Sequence, residues 1–342
     1  MSKKIIIALD IMGGDQAPEM VIEGTAVAQL RYPDAEFLLF GPKSRIDVEL
    51  KKFPDLAGHC KIIHTDDYVT AEDRPSQALR HGRNSSMGLA LAAVRDGEAD
   101  VAVSAGNTGA LMALSKFTLR MLPGIERPAL VSTLPTLRGE SCLLDLGANI
   151  DCDSNNLVQF AVMGAAYMRA VIGQNKPTVG LLNVGVEELK GSDTLRVAAS
   201  TLSDSQHLHM DFKGFVEADS IGRGDVDVYV TDGFTGNMAL KSIEGTAKLM
   251  SELLKRAFAS SFMAKLGYLL AVRGLNSLRN HMDPNNHNGG VFIGLNGLVV
   301  KSHGGANAHG FTSAIGVAYD MSKNNLNQLI ADDLAAISDA SD

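Results

Sequence analysis

The stretches DVAVSAGNTGALM (Asp100–Met112) and DVYVTDGFTGNMA (Asp227–Ala239) stand 127 residues apart and align without a gap as D-V-x-V-S/T-x-G-x-T-G. Each reads as a short β-branched strand that ends in a glycine turn and enters a helix, the repeating unit of a parallel sheet. The glycines permit positive φ and close approach, and Thr108 and Thr235 are expected to supply capping hydroxyls. Free amides and the helix dipole at such a turn suit an anion, phosphate above all. Gly106, Asn107, Thr108 and Gly109 in the first copy, and Gly233, Thr235 and Gly236 in the second, are therefore candidate binding residues. One turn would take a phosphate and the other a second oxyanion or the phosphate of a cofactor, the two facing each other across a cleft. Where the first copy has Ala110 the second has Asn237, an added amide donor at the helix start. The plain alternative is a duplication kept only for folding.

The same alternation extends outward over the 342 residues. Lys4–Leu9, Glu36–Phe40, Cys60–His64, Asp100–Ser104, Ala129–Thr133, Ser141–Leu146, Thr178–Leu182, Asp225–Thr231 and Leu298–Lys301 read as strands. Helical patterns cover Pro18–Arg31, Ser85–Asp96, Thr108–Met121 and Asn155–Ile172, with one or two more helices after Asn307. This predicts an α/β fold with a mainly parallel sheet covered on both faces, where ligands bind beyond the carboxyl ends of the strands. Six glycine-bearing loops, DIMGGDQAP, SAGNTGAL, DLGANIDCDS, NVGVEELKGSD, TDGFTGNM and KSHGGANAHG, are expected along one edge of it. No linker or low-complexity segment divides the chain, so residues 1–342 read as a single domain with one helical excursion over 249–283.

A net charge of −8 argues against nucleic-acid binding. MSKKIIIALD is too short an apolar run for a signal peptide, and no stretch approaches the roughly 18 apolar residues of a transmembrane helix. Cys60, Cys142 and Cys152 form no C-x-x-C pair and point to a reducing compartment. There is no G-x-G-x-x-G after the first strand, no G-x-x-x-x-G-K-S/T and no G-x-S-x-G, so dinucleotide binding, nucleotide hydrolysis and serine catalysis lose ground. Cys142 reads as inert burial, and acidic neighbours would raise the Cys152 thiol. Asp10 with Asp15, and Asp151 with Asp153, are weak candidates for a divalent ion, Asp153 reading better as a helix cap. His207 and His209 lack a third ligand, and no metal site is expected.

Three features carry charge or apolar surface. Lys190, just before Gly191 and Ser192 at a helix start, would reach an anion held by backbone amides. Arg74, Arg80 and Arg83 form a cationic cluster fit for an acidic partner, or else a salt-bridged surface. From Leu249 to Asn280, Met250, Leu254, Phe258, Phe262, Leu266 and Leu270 recur every four residues. Lys255, Arg256, Lys265, Arg273 and Arg279 stand there against the single acid Glu252. That stripe would lie on a membrane surface or a partner subunit, the alternative being core packing.

The motifs ALDIMGGDQAP, RPSQALR, SAGNTGALM, ERPAL, LDLGAN, NVGVEELKG, DGFTGN and KSHGGAN follow one another as in bacterial phosphate acyltransferases. The chain resembles that family from about Ile5 to Phe311. The resemblance implies a three-layer α/β/α fold similar to isopropylmalate dehydrogenases and phosphotransacetylases, with a protruding amphipathic helical segment. It implies reversible transfer of a fatty acyl group from acyl carrier protein to inorganic phosphate, giving acyl phosphate for phospholipid synthesis. No cofactor is expected. Lys190 and Asn237 are carried over as the catalytic residues, Lys190 with one turn holding phosphate and Asn237 with the other stabilising the thioester oxyanion. His303 of KSHGGAN would supply a proton. Acyl carrier protein would dock at Arg74, Arg80 and Arg83 or on the basic helical segment. A cytoplasmic homodimer is implied, held at the inner face of the cell membrane through 249–280, with an integral membrane glycerol-phosphate acyltransferase as a partner. The rivals are a phosphotransacetylase-like enzyme using acyl-CoA, a hydride-transferring relative of the same fold, and a membrane-surface adaptor for an integral acyltransferase.

Overall fold

The computed structural model describes residues 4–205, 208–283 and 285–339; His207 lies outside them. Among these residues one sheet holds eleven strands: β1 (Ile5–Asp10), β2 (Ala35–Gly41), β3 (Cys60–His64), β4 (Val101–Ser104), β5 (Ala129–Thr136), β6 (Gly139–Leu144), β7 (Thr178–Leu182), β8 (Asp211–Val216), β9 (Val228–Val230), β10 (Gly290–Ile293) and β11 (Leu298–Lys301). Their order is β3-β2-β1-β4-β11-β10-β5-β6-β9-β7-β8. The helices are α1 (Glu19–Arg31), α2 (Lys43–Leu50), α3 (Pro75–His81), α4 (Ser86–Arg95), α5 (Thr108–Leu119), α6 (Ser154–Tyr167), α7 (Asp193–Asp204), α8 (Gly233–Ala259), α9 (Phe262–His281), α10 (Ala308–Lys323) and α11 (Leu326–Asp339). β8 and β10 were not expected from the sequence.

The two-residue period of the strands builds the layers. Ile7, Leu9, Val101, Val103, Val300, Leu144 and Val230 join α1, α6, α10 and α11 in one core. The alternate residues Ala8, Ala102 and Val299 pack with α4 and α5 on the opposite face, and Leu143 and Tyr229 in a third cluster. The fold is thus a three-layer α/β/α sandwich.

The six glycine loops do not share one edge of equally directed strands. Three antiparallel pairings, β11–β10, β10–β5 and β5–β6, separate β1, β4 and β11 from β6, β9 and β7. An odd number of reversals turns the second half of the sheet the other way. The halves meet on β5, where Val131 pairs with Val291 of β10, and Ser132 pairs with Leu143 of β6. Val291 in turn pairs with Val300 of β11. Both sets of carboxyl ends therefore lie level with the middle of β5, and their loops arrive there from opposite directions.

The apolar stripe expected over Leu249–Asn280 is divided between two helices. Ser261 caps α9, its hydroxyl accepting from Ala264 N at 3.1 Å, so α8 and α9 form a hairpin. Core packing is overturned: α9 has no buried residue, and in α8 only Gly233 and Gly236 at the base are buried. No helix is long and apolar enough among the described residues to cross a membrane.

Candidate active site

The repeated motif first explains itself as a strand clip. Asp100 N donates to Ile6 O at 2.8 Å and its carboxylate accepts from Ile6 N. Asp227 does the same to Thr178, at 3.0 Å from its N and 2.7 Å to its carboxylate. Each copy thus fixes the register of a neighbouring strand and ends beside a buried aspartate that belongs to another strand. These aspartates, Asp10 and Asp145, define two half-sites.

In the first half-site Asp10, 2 % exposed, accepts from Ser86 Oγ at 2.6 Å and from Ser104 Oγ at 2.7 Å. Burial raises its pKa, and the two hydroxyls offset part of that. Ser104 Oγ accepts in turn from Gly106 N at 3.0 Å. Lys301 at the end of β11 donates from Nζ to Ser302 O and, at 3.5 Å, to Ala105 O. Burial pushes its ammonium down to about 8, against the pull of Asp10 and Asp15. His303 is exposed, and its Nδ1 accepts from Gly305 N at 3.1 Å, so the ring proton sits on Nε2.

The capping assignment needs correction in both turns. In the first, Asn107 caps α5 through Ala110 N at 3.0 Å and ties the turn to Ala71 O and Asp73 O. Thr108 is merely the first helical residue. In the second, Asp232 caps α8 through Thr235 N at 2.8 Å, and Thr235 Oγ1 donates to the same carboxylate. The helices therefore begin at different points of the motif, and the second turn carries a negative charge where the first carries a neutral amide.

In the second half-site Asp145 is fully buried and accepts five hydrogen bonds, from Leu130 N, Gly147 N, Ala148 N, Asn149 N and Asn149 Nδ2. Gly233 N donates to Asn149 O, and a Cβ at Gly236 would stand 2.0 Å from Asp145 O. Only glycine lets α8 start this close. Asn237 is exposed, its Cβ packed beside Gly147. Lys190 is exposed at the end of the loop leaving β7, where Asn183 Nδ2 donates to its carbonyl at 3.2 Å. β7 neighbours β9, so Lys190 and Asn237 belong to the same half-site rather than to opposite turns. Among the described residues no hydrogen bond joins the two half-sites.

Arg74, Arg80 and Arg83 are exposed and form no ion pair among the described residues, which removes the salt-bridged alternative. Arg83 lies over the Phe117 ring at 4.5 Å, and Arg74 precedes Pro75, which packs against Gly109. The basic cluster therefore adjoins the first turn. Burial pushes Cys60 and Cys152 up to about 12 and Cys142 higher still; at Cys152 the added charges are Asp145 and Asp232, not its sequence neighbours. None is a ready thiolate. Asp153 caps α6 as expected. His209 pairs with Asp333 at 3.2 Å, and no cluster of three or more His, Cys, Asp or Glu among the described residues is arranged to hold a metal.

The three-layer sheet with its central reversal is the architecture of solved phosphotransacetylases. Over 94 % of its length the chain superimposes on 94 % of EutD phosphotransacetylase from Staphylococcus aureus, with a TM-score of 0.61 and 17 % identity. It covers 95 % of a phosphotransacetylase from Streptococcus pyogenes with a TM-score of 0.62 and 16 % identity. In sequence it is 56 % identical to the phosphate acyltransferase of Paramagnetospirillum magneticum, over 96 % of this chain and 94 % of that one. It is also 56 % identical to that of Rhodospirillum centenum, over 98 % and 95 %. The chain belongs to the family described as fatty acid synthesis protein, which it matches over residues 5–329, and it is an acyltransferase.

Proposed function

We propose that the protein transfers a fatty acyl group from acyl carrier protein to inorganic phosphate, forming acyl phosphate for phospholipid synthesis. The observation that carries this reading is the rim of the second half-site. Ile150 after β6, Phe234 and Met238 after β9, and Val184, Val186 and Leu189 after β7 are all 54–88 % exposed. They lie on the loops of three adjacent strands, two of which also carry Lys190 and Asn237. Exposed apolar side chains on that scale mark a binding surface, and a long acyl chain uses it where an acetyl group does not.

In this reading Lys190 holds and orients the phosphate dianion, and Asn237 donates to the thioester oxygen as it gains charge, worth about 3–4 kcal/mol. A phosphate oxygen forms the new C–O bond, the C–S bond breaks, and the proton of the attacking phosphate ends on the thiol. A thiol of pKa about 8.5 leaves with little acid help, so neither nucleophile nor metal is required. His303, which follows β11 in the first half-site with its ring proton on Nε2, is the proton donor the KSHGGAN motif offers. The acidic carrier docks on Arg74, Arg80 and Arg83. The α8–α9 hairpin serves a homodimer contact and the inner face of the cell membrane, close to an integral glycerol-phosphate acyltransferase. Fatty acyl-loaded acyl carrier protein and ¹⁸O-phosphate should yield acyl phosphate carrying the label. Label incorporated only with acyl-CoA would assign the protein to the phosphotransacetylase reading.

A further inference from the structure

Asp10 is a buried carboxyl group, and burying it costs free energy that its hydrogen bonds must offset. Its two oxygens do different work. Oδ1 accepts from Ser86 Oγ at the start of α4, a link within the scaffold. Oδ2 accepts from Ser104 Oγ, and that commits the only hydroxyl proton of Ser104, leaving its lone pairs to receive Gly106 N–H. The other side of the same peptide plane, Ala105 O, receives Lys301 Nζ. The Ala105–Gly106 peptide is thus clamped at both ends, one clamp running back to Asp10. Two missing side chains let it sit there. A Cβ at Gly13 would lie 2.6 Å from Gly106 N, and one at Gly106 would lie 2.7 Å from Met87 Cε. From this peptide the chain passes into Asn107, itself tied to Ala71 O and Asp73 O, and then into the Thr108 and Gly109 amides at the start of α5.

We propose that Asp10, through Ser104, is a positioning residue for the Gly106–Gly109 turn, aiming its amides at an anionic oxygen of the substrates. The proposal rests on the acyl-transfer reading above and names a residue that reading does not use. Ser104→Ala should lower kcat/KM for acyl transfer to phosphate by about tenfold or more, the worth of a hydrogen bond to a charged group, and Ser104→Thr should restore most of it. Ser141→Ala removes a buried hydroxyl bond to Val226 O, away from both half-sites. It should lower the melting temperature about as much while leaving kcat/KM within about threefold of wild type. If Ser104→Ala does not fold, Ser104→Cys keeps the volume with a much weaker donor and acceptor and should show the same kinetic loss. Normal kcat/KM in Ser104→Ala or Ser104→Cys, or equal kinetic losses in Ser141→Ala and Ser104→Ala, would overturn the proposal. A wild-type protein without phosphate-dependent turnover would instead refute the reading beneath it, and the proposal with it.

Discussion

Replacing Lys190 by Ala tests the charge assigned to the phosphate. The side chain is exposed at the end of the loop leaving β7 and makes no ion pair among the described residues, so its removal leaves the fold intact. Two unit charges about 4 Å apart are worth about 1 kcal/mol in water, and a phosphate dianion doubles that to about 2 kcal/mol. Because Lys190 is exposed, the aqueous end of the range applies and the loss is about 30-fold in kcat/KM for phosphate. Lys190→Arg keeps the charge and should recover most of it, whereas Lys190→Gln should not. The assay is initial rate against phosphate concentration at fixed acyl donor, with a melting curve for each variant. The expected melting temperature lies within about 1 °C of wild type. Near-normal turnover of Lys190→Ala at low phosphate would remove Lys190 from the mechanism.

Gly236→Ala places a Cβ 2.0 Å from Asp145 O, backbone that cannot move aside, and should abolish turnover while lowering the melting temperature by several degrees. Lys301, held down at about 8 from the usual 10.5, binds a proton in the unfolded chain that the folded protein lacks between those values. Through this residue stability rises with pH across that window, and a Lys301→Met series of melting curves should show a flatter rise than wild type. Arg80→Glu with Arg83→Glu should raise the apparent KM for acyl carrier protein and weaken its salt dependence, leaving the KM for phosphate unchanged. Leu270→Asp, at an 84 % exposed position of α9, should alter stability by less than about 0.5 kcal/mol yet reduce sedimentation with anionic lipid vesicles.

The fold was largely legible because its strands are β-branched runs set apart by glycine turns; Cys60–His64, Thr178–Leu182 and Leu298–Lys301 were read at their true bounds. β10 escaped because it is four residues long behind an Asn- and Gly-rich stretch, and β8 because Lys213 and Gly214 break its alternation. The reversal of strand direction across β5 was invisible, since a sequence run carries no sign of its orientation in the sheet. For the same reason Lys190 and Asn237 were divided between turns that pairing order places in one half. The capping threonines were misassigned because Asn107 and Asp232, both better caps, stood one and three residues ahead of them. From sequence Asp10 reads only as a weak metal ligand, yet ALD before MGG and LLD before GAN form a second repeat that points to the buried carboxylates. The break at Ser260–Ser261 needed only the rule that serine starts helices.

The most direct test mixes purified protein with long-chain acyl carrier protein and inorganic phosphate, then traps acyl phosphate with hydroxylamine. Parallel reactions contain acyl-CoA in place of the carrier, or no phosphate. Phosphate-dependent hydroxamate from the carrier-bound acyl group is the predicted result. Product from neither donor would contradict the account and leave the paired turns as scaffolding.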